Sequence, residues 1–172
     1  MGLLSTGFGS IEKGRGLQND FEIEYAFQRF AIEKNIAEFT LVGLRPPAIV
    51  TDWSYAPFYS DASAAEGEVV IIFQERLDER IGSLSGNHAL MRQHWEILER
   101  THDFRLQEYL EPTLCLQILR ETADLVTALT GRAMERAGSI LAERLQRRCD
   151  IVNGRPPKVC RPRLHLVPRA EP

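Results

Sequence analysis

The feature that most limits what this chain can fold into is an unbroken helical pattern over residues 112–151. Cys115, Ile118, Thr122, Leu125, Leu129, Ala133, Ala137, Ile140 and Arg144 recur at steps of three and four, which lays them along one face of a helix. Pro112 suits a first helical position, where its missing N–H would be unpaired anyway. Arg144, Arg147 and Arg148 crowd the last turns, where cations oppose the negative end of the helix dipole, and Asn153-Gly154 follows as a stop. The stripe keeps its phase across Gly131, so the spacing predicts one helix and not a hairpin. A helix of about forty residues extends about 60 Å, against a radius of gyration of about 16 Å for a domain of this length. Such a helix would protrude or be gripped by a second subunit. On its opposite face Ala128, Gly131, Gly138 and Ala142 form a line of small side chains, either tolerated surface or a seat for a second helix.

Upstream, the pattern reads as strands. Phe21, Ile23, Tyr25 and Phe27 alternate with Glu22, Glu24 and Ala26, although residues 27–39 also fit a short helix. Residues 38–42 and 48–51 look like short strands around two prolines, and residues 68–75, EVVIIFQE, like a strand buried on both faces. Asn87 is a good N-cap for a helix reaching about residue 101, and a shorter helical piece spans residues 104–110. Strands first and helices after predict an α+β fold, a small mostly antiparallel sheet packed on C-terminal helices that include the long one. Residues 1–18 read as a flexible Gly-rich arm, 19–151 as a single α+β domain, and 152–172 as an extended Pro/Arg-rich tail with room for one edge strand.

Composition narrows the class. At 172 residues, 44% hydrophobic and 26% charged, the chain can build one core. No apolar run approaches the roughly twenty residues of a membrane span, and the N-terminus lacks the signature of a secretory signal. Three cysteines without paired spacing argue for a reducing compartment. The expected location is the cytoplasm or the interior of a virion or other intracellular assembly. Met1-Gly2-x-x-x-Thr6 matches an acylation pattern, so a membrane enters only if Gly2 is acylated. The net charge of −3 divides into −9 for residues 1–143 and +6 for residues 144–172.

Signatures of phosphate loops, zinc proteases, serine hydrolases and redox dithiols are absent, and no cofactor or catalytic residue is assigned. Glu22 and Glu24 read as a solvated face. Glu99-x-x-His102 has the spacing of a di-iron half-site but no second copy, and Cys149, Cys160 and His165 fit no common zinc module. Trp53, Tyr55, Phe58 and Tyr59 gather in one loop, either plugging the end of a sheet or anchoring an interface.

Three functions follow as expectations. The first is a non-enzymatic assembly protein, a homo-oligomer or a structural component of a phage, viral or secretion-type machine. It would associate through the long helix and its arms, with Trp53, Tyr55, Phe58, Tyr59, Ala128, Gly131, Gly138 and Ala142 as partner contacts. The second is a nucleic-acid or polyanion binder using Arg144, Arg147, Arg148, Arg155, Lys158, Arg161 and Arg163. The third is a ligand-binding or catalytic domain with a pocket under the loop of residues 52–66.

Overall fold

The computed structural model describes residues 11–52 and 64–157, and among them every regular element is helical. Helix α1 spans Ile11–Asn35 and runs into a 3-10 turn, Ile36–Glu38; α2 is a single turn, Ala48–Thr51. Helices α3 (Ala64–Ser83) and α4 (His88–Leu110) form one antiparallel hairpin, and α5 (Cys115–Thr130) and α6 (Met134–Val152) form another. α1 packs against α6 on one side and against α3 and α4 on the other, while α2 sits on α5. The apolar core between them holds Phe21, Ile32, Ile71, Leu77, Leu119 and Leu125, all nearly fully buried.

The expected α+β fold is therefore corrected to an all-helical bundle. Residues 21–27 lie inside α1 and residues 68–75 inside α3, residues 48–51 form α2, and residues 38–42 are the end of the 3-10 turn and the loop after it. The physical reason is that the buried positions of α1 are 21, 24, 27, 28, 31 and 32, a helical series in which Glu24 and Gln28 are polar. Sending Glu24 to solvent breaks that series and leaves only the alternation of Phe21, Ile23, Tyr25 and Phe27. In α3, Gln74 and Asp78 point inward while Val69 and Ile72 point out, which turned a helical face into an apparent buried strand.

The single long helix is corrected as well. α5 begins at Cys115, three residues after Pro112, and ends at Thr130, with Gly131 as its C-cap. The N–H of Ala133 donates to the carbonyl of Ala128 at 2.8 Å and that of Arg132 to Leu129 at 3.2 Å, the two bonds of a Schellman stop. The left-handed position of that motif is Arg132, with φ 57°, and not its glycine neighbour. Its side chain compensates, Nε donating to the carbonyl of Ala37 at 3.0 Å and Nη1 to those of Leu129 and Thr130 at 3.2 Å each. α6 closes on the same motif in its usual form, with Gly154 at φ 66° and Arg155 N–H donating to the carbonyl of Asp150 at 2.8 Å. At the start of α4, the Asn87 side chain accepts from the N–H groups of Ala89 and Leu90 at 3.0 and 3.2 Å.

Two glycines should respond oppositely to alanine. A methyl on Gly82 would lie 2.9 Å from the Phe27 ring and from Met91 Sδ, and 3.2 Å from His94 Nδ1. Gly138 is covered by the Arg29 guanidinium, whose side chain is 28% exposed and can swing out. Gly82→Ala is expected to lose about 1–3 kcal/mol through overpacking, whereas Gly138→Ala should hold or gain up to about 1 kcal/mol from helix propensity. Thermal melts of the two variants beside wild type check both signs.

Candidate functional site: a buried chain of alternating charges

α6 places Arg144, Arg147 and Arg148 on one face, and that face turns inward. α4 likewise turns Thr101, Arg105 and Glu108 inward, α1 contributes Glu24, α3 Asp78 and α5 Glu121. The four guanidinium and four carboxylate groups join end to end with alternating sign. Arg144 Nη1 donates to Asp78 Oδ1 at 3.2 Å, and Arg105 Nη1 donates to Asp78 Oδ2 at 3.0 Å. Arg105 Nη2 lies 2.8 Å from Glu24 Oε2, which also takes Arg148 Nη1 at 3.4 Å. Arg148 Nε donates to Glu108 Oε2 at 3.3 Å, Arg147 Nε donates to Glu108 Oε1 at 2.7 Å, and Arg147 Nη1 ends the chain on Glu121 Oε2. Neutral groups fill remaining valences: Thr101 Oγ1 accepts from Arg105 Nε at 3.1 Å, Gln28 donates to Glu24 at 3.3 Å and Gln117 to Glu121 at 2.9 Å.

Burial works against every charge here, and the neighbours decide the outcome. Burial alone would raise the Asp78 carboxyl, yet Arg144 and Arg105 hold it below the usual carboxylate range; Arg147 and Arg148 do the same for Glu108. Burial would lower Arg105 and Arg147, but Glu24 with Asp78, and Glu108 with Glu121, keep these guanidinium groups above their ordinary value. Arg148 is the exception. Burial and the like charge of Arg105 bring it down to about 10, with Glu108 and Glu24 offsetting only part. It also stacks 5.1 Å from the Phe21 ring centroid. Arg144 keeps one buried nitrogen, Nη2, without a protein partner.

The sequence-predicted sites fall as follows. Of the polyanion set, Arg144, Arg147 and Arg148 belong to the buried chain, Arg155 is exposed with Nη1 3.8 Å from Asp150, and Lys158, Arg161 and Arg163 lie outside the described residues. Of the partner set, Ala128 is in the core, Gly131 is in the turn, Gly138 is buried under Arg29 and Ala142 is half-buried. Trp53, Tyr55, Phe58 and Tyr59 lie outside the described residues, as do Gly2, Cys160 and His165. Glu22 is exposed and accepts from Gln18 at 2.8 Å, whereas Glu24 is interior.

Glu99 is exposed and separate from His102, which faces α3 with Nδ1 2.9 Å from Glu75 and Nε2 3.5 Å from Glu68. The hydrogen bond to Glu75 raises the His102 imidazole above its ordinary value, partly opposed by burial. No cluster of three or more His, Cys, Asp or Glu suited to a metal occurs among the described residues. No helix among them is long and apolar enough to cross a membrane. Tyr109, fully buried, sets its hydroxyl beside the Cys115 thiol, and burial pushes both groups up.

Fold and site together define a class: an all-helical bundle held on a neutral internal ion chain. No family model matches this chain, and neither curated proteins nor solved structures gave a match.

Asp78→Leu leaves Arg144 and Arg105 buried without their shared carboxylate, and should cost about 3–5 kcal/mol in denaturant unfolding. Because the folded pKa values of Asp78 and Glu108 are depressed, their stabilisation is present above the unfolded values of about 4 and is lost as pH falls below them. Acid titration of wild type followed by circular dichroism should show a steep transition there, and Asp78→Leu should unfold at higher pH.

Proposed function

We propose that this protein works by association with other protein chains, a second copy of itself first among them, and that the contact surface is the outer face of α1. The observation that supports this reading is the placement of Ile23 and Phe30, 52% and 46% exposed, two helical turns apart with the exposed Ala26 between them. α1 meets α4 through Asp20, Glu24 and Phe27 and lies against α6 through Gly14, Gln18 and Arg29, which leaves this stripe facing outward.

Two copies of α1 crossing antiparallel at Ala26 would set Ile23 of each against Phe30 of the other. The pairing occurs twice by symmetry, and the small residue lets the backbones approach. The ion chain supplies a firm platform for such a face, since it ties α1 to α4 and α6 from within. The small residues of α5 and α6 form no single outer face: Ala128 and Gly138 are buried, and the turn at Gly131 divides the line.

Light scattering on the eluting peak tests this. The expected mass exceeds that of the 19.6 kDa chain and falls to it in the Ile23→Glu, Phe30→Glu double variant with helicity intact. A wild type that stays a single chain through the micromolar range, or a double variant that keeps the oligomer, overturns it.

A further inference from the structure

His94 lies on α4, 1% exposed, with neither ring nitrogen hydrogen-bonded by the protein. Its imidazole meets the Phe27 ring of α1 edge-on at 5.1 Å, and Gly82 of α3 leaves the space it occupies. The charged groups that face it are Glu24 from α1, Asp78 from α3 and Arg105 from its own helix. Both carboxylates are already engaged by Arg105. A neutral ring therefore fits this position, and a charged one has no acceptor of its own.

We propose that His94 is a proton-operated release at the seam between α1 and the α3–α4 hairpin: an imidazolium formed there competes with Arg105 for Glu24 and Asp78 and loosens α1. The seam is well defined. Along it run the Asp20–Arg100 pair, the Phe21–Phe104 and Phe27–His94 ring contacts, the Glu24–Arg105 pair and the bond from Lys34 to the Ser85 carbonyl.

His102, two turns further along α4, acts with the opposite sign. Protonated, it donates to Glu75 of α3 and stands beside Glu68, so acid reinforces the hairpin while it loosens α1. The signs follow from linkage. Burial holds His94 below its ordinary value, so the closed form excludes a proton that the opened form takes up near pH ~6.5. Closure is complete above that pH and is lost as pH falls toward the closed-form value. The raised His102 gives support that is full below pH ~6.5 and lost as pH rises through its folded value.

Amide exchange on the full chain, corrected for intrinsic rates, reads the seam directly. Between pH ~7.5 and ~5.5 the opening constant of α1 amides should rise by up to about tenfold, the limit set by the proton uptake of one ordinary imidazole. α3 and α4 should stay protected. His94→Gln should abolish the rise and His102→Gln should not. In wild type, imidazole NMR shifts should show His94 still neutral at a pH where His102 is charged, a reading independent of whether His94→Gln folds. The proposal is overturned by His94 titrating with or above His102, by an α1 response that survives in His94→Gln, or by α3 and α4 opening together with α1.

Discussion

Everything in this bundle depends on keeping eight ionised side chains out of water without leaving any of them alone. An isolated charge moved into a protein interior costs several kcal/mol even after relaxation, and the alternating order answers that cost locally. Asp78 and Glu108 each offer one oxygen to each of two guanidinium groups, and Arg105, Arg148 and Arg147 each span two carboxylates. Only Arg144 and Glu121, the ends, have a single opposite partner. Replacing such a chain with apolar side chains of similar volume is often neutral or stabilising, so its value to this fold lies in registry. Sliding α6 by one turn, about 5.4 Å, would carry three guanidinium groups past Glu24, Asp78, Glu108 and Glu121 at once. Apolar packing alone tolerates such slips far better.

The same requirement sets the roles of the helices. α6 supplies three of the four cations and must lie where their long side chains reach past α1 and α5 to α3 and α4, meeting residues 24, 78, 108 and 121. The short turn at Gly131-Arg132-Ala133 brings it back along α5, and the Arg132 strain is the cost of making that turn one residue beyond the glycine. Arg148 lies among the like charges of Arg105 and Arg144 and leans on Phe21. It sits where α1 joins the rest.

What the sequence made legible was the helical pattern of the C-terminal half, the Asn87 cap and the Asn153-Gly154 stop. What it concealed was α1 and α3, and the concealment has one cause. Glu24, Gln28, Gln74 and Asp78 occupy interior positions, so a reading that sends polar residues outward breaks the 3.6-residue period at the points where the core is polar. A signal was present nonetheless. Arg144, Arg147 and Arg148 stand in phase with the apolar Ile140, Leu141 and Ile151, and Arg105 and Glu108 with Ile97, Phe104 and Tyr109. Charges in phase with apolar stripes on several helices, equal in number and opposite in sign, point to mutual burial. The turn was hidden for a different reason: the left-handed residue is an arginine whose carbonyl contacts are tertiary.

The internal chain also changes what the exterior presents. Read along the sequence, the molecule is an acidic body of −9 joined to a basic tail of +6. Four carboxylates and Arg105 of the body, and three arginines of the tail, neutralise one another inside. Setting those eight aside leaves −6 and +3, so half of the apparent basic tail is committed to the fold. Attraction to a polyanion scales with the cations free to release counterions from it, and three of the eight basic residues of the tail are committed to the fold. A net acidic remainder beside an apolar stripe on α1 supports the proposed contact with another protein surface. Among the described residues, the physical weight falls on α1: it is tied inward by Glu24, bordered by His94, and open outward at Ile23 and Phe30.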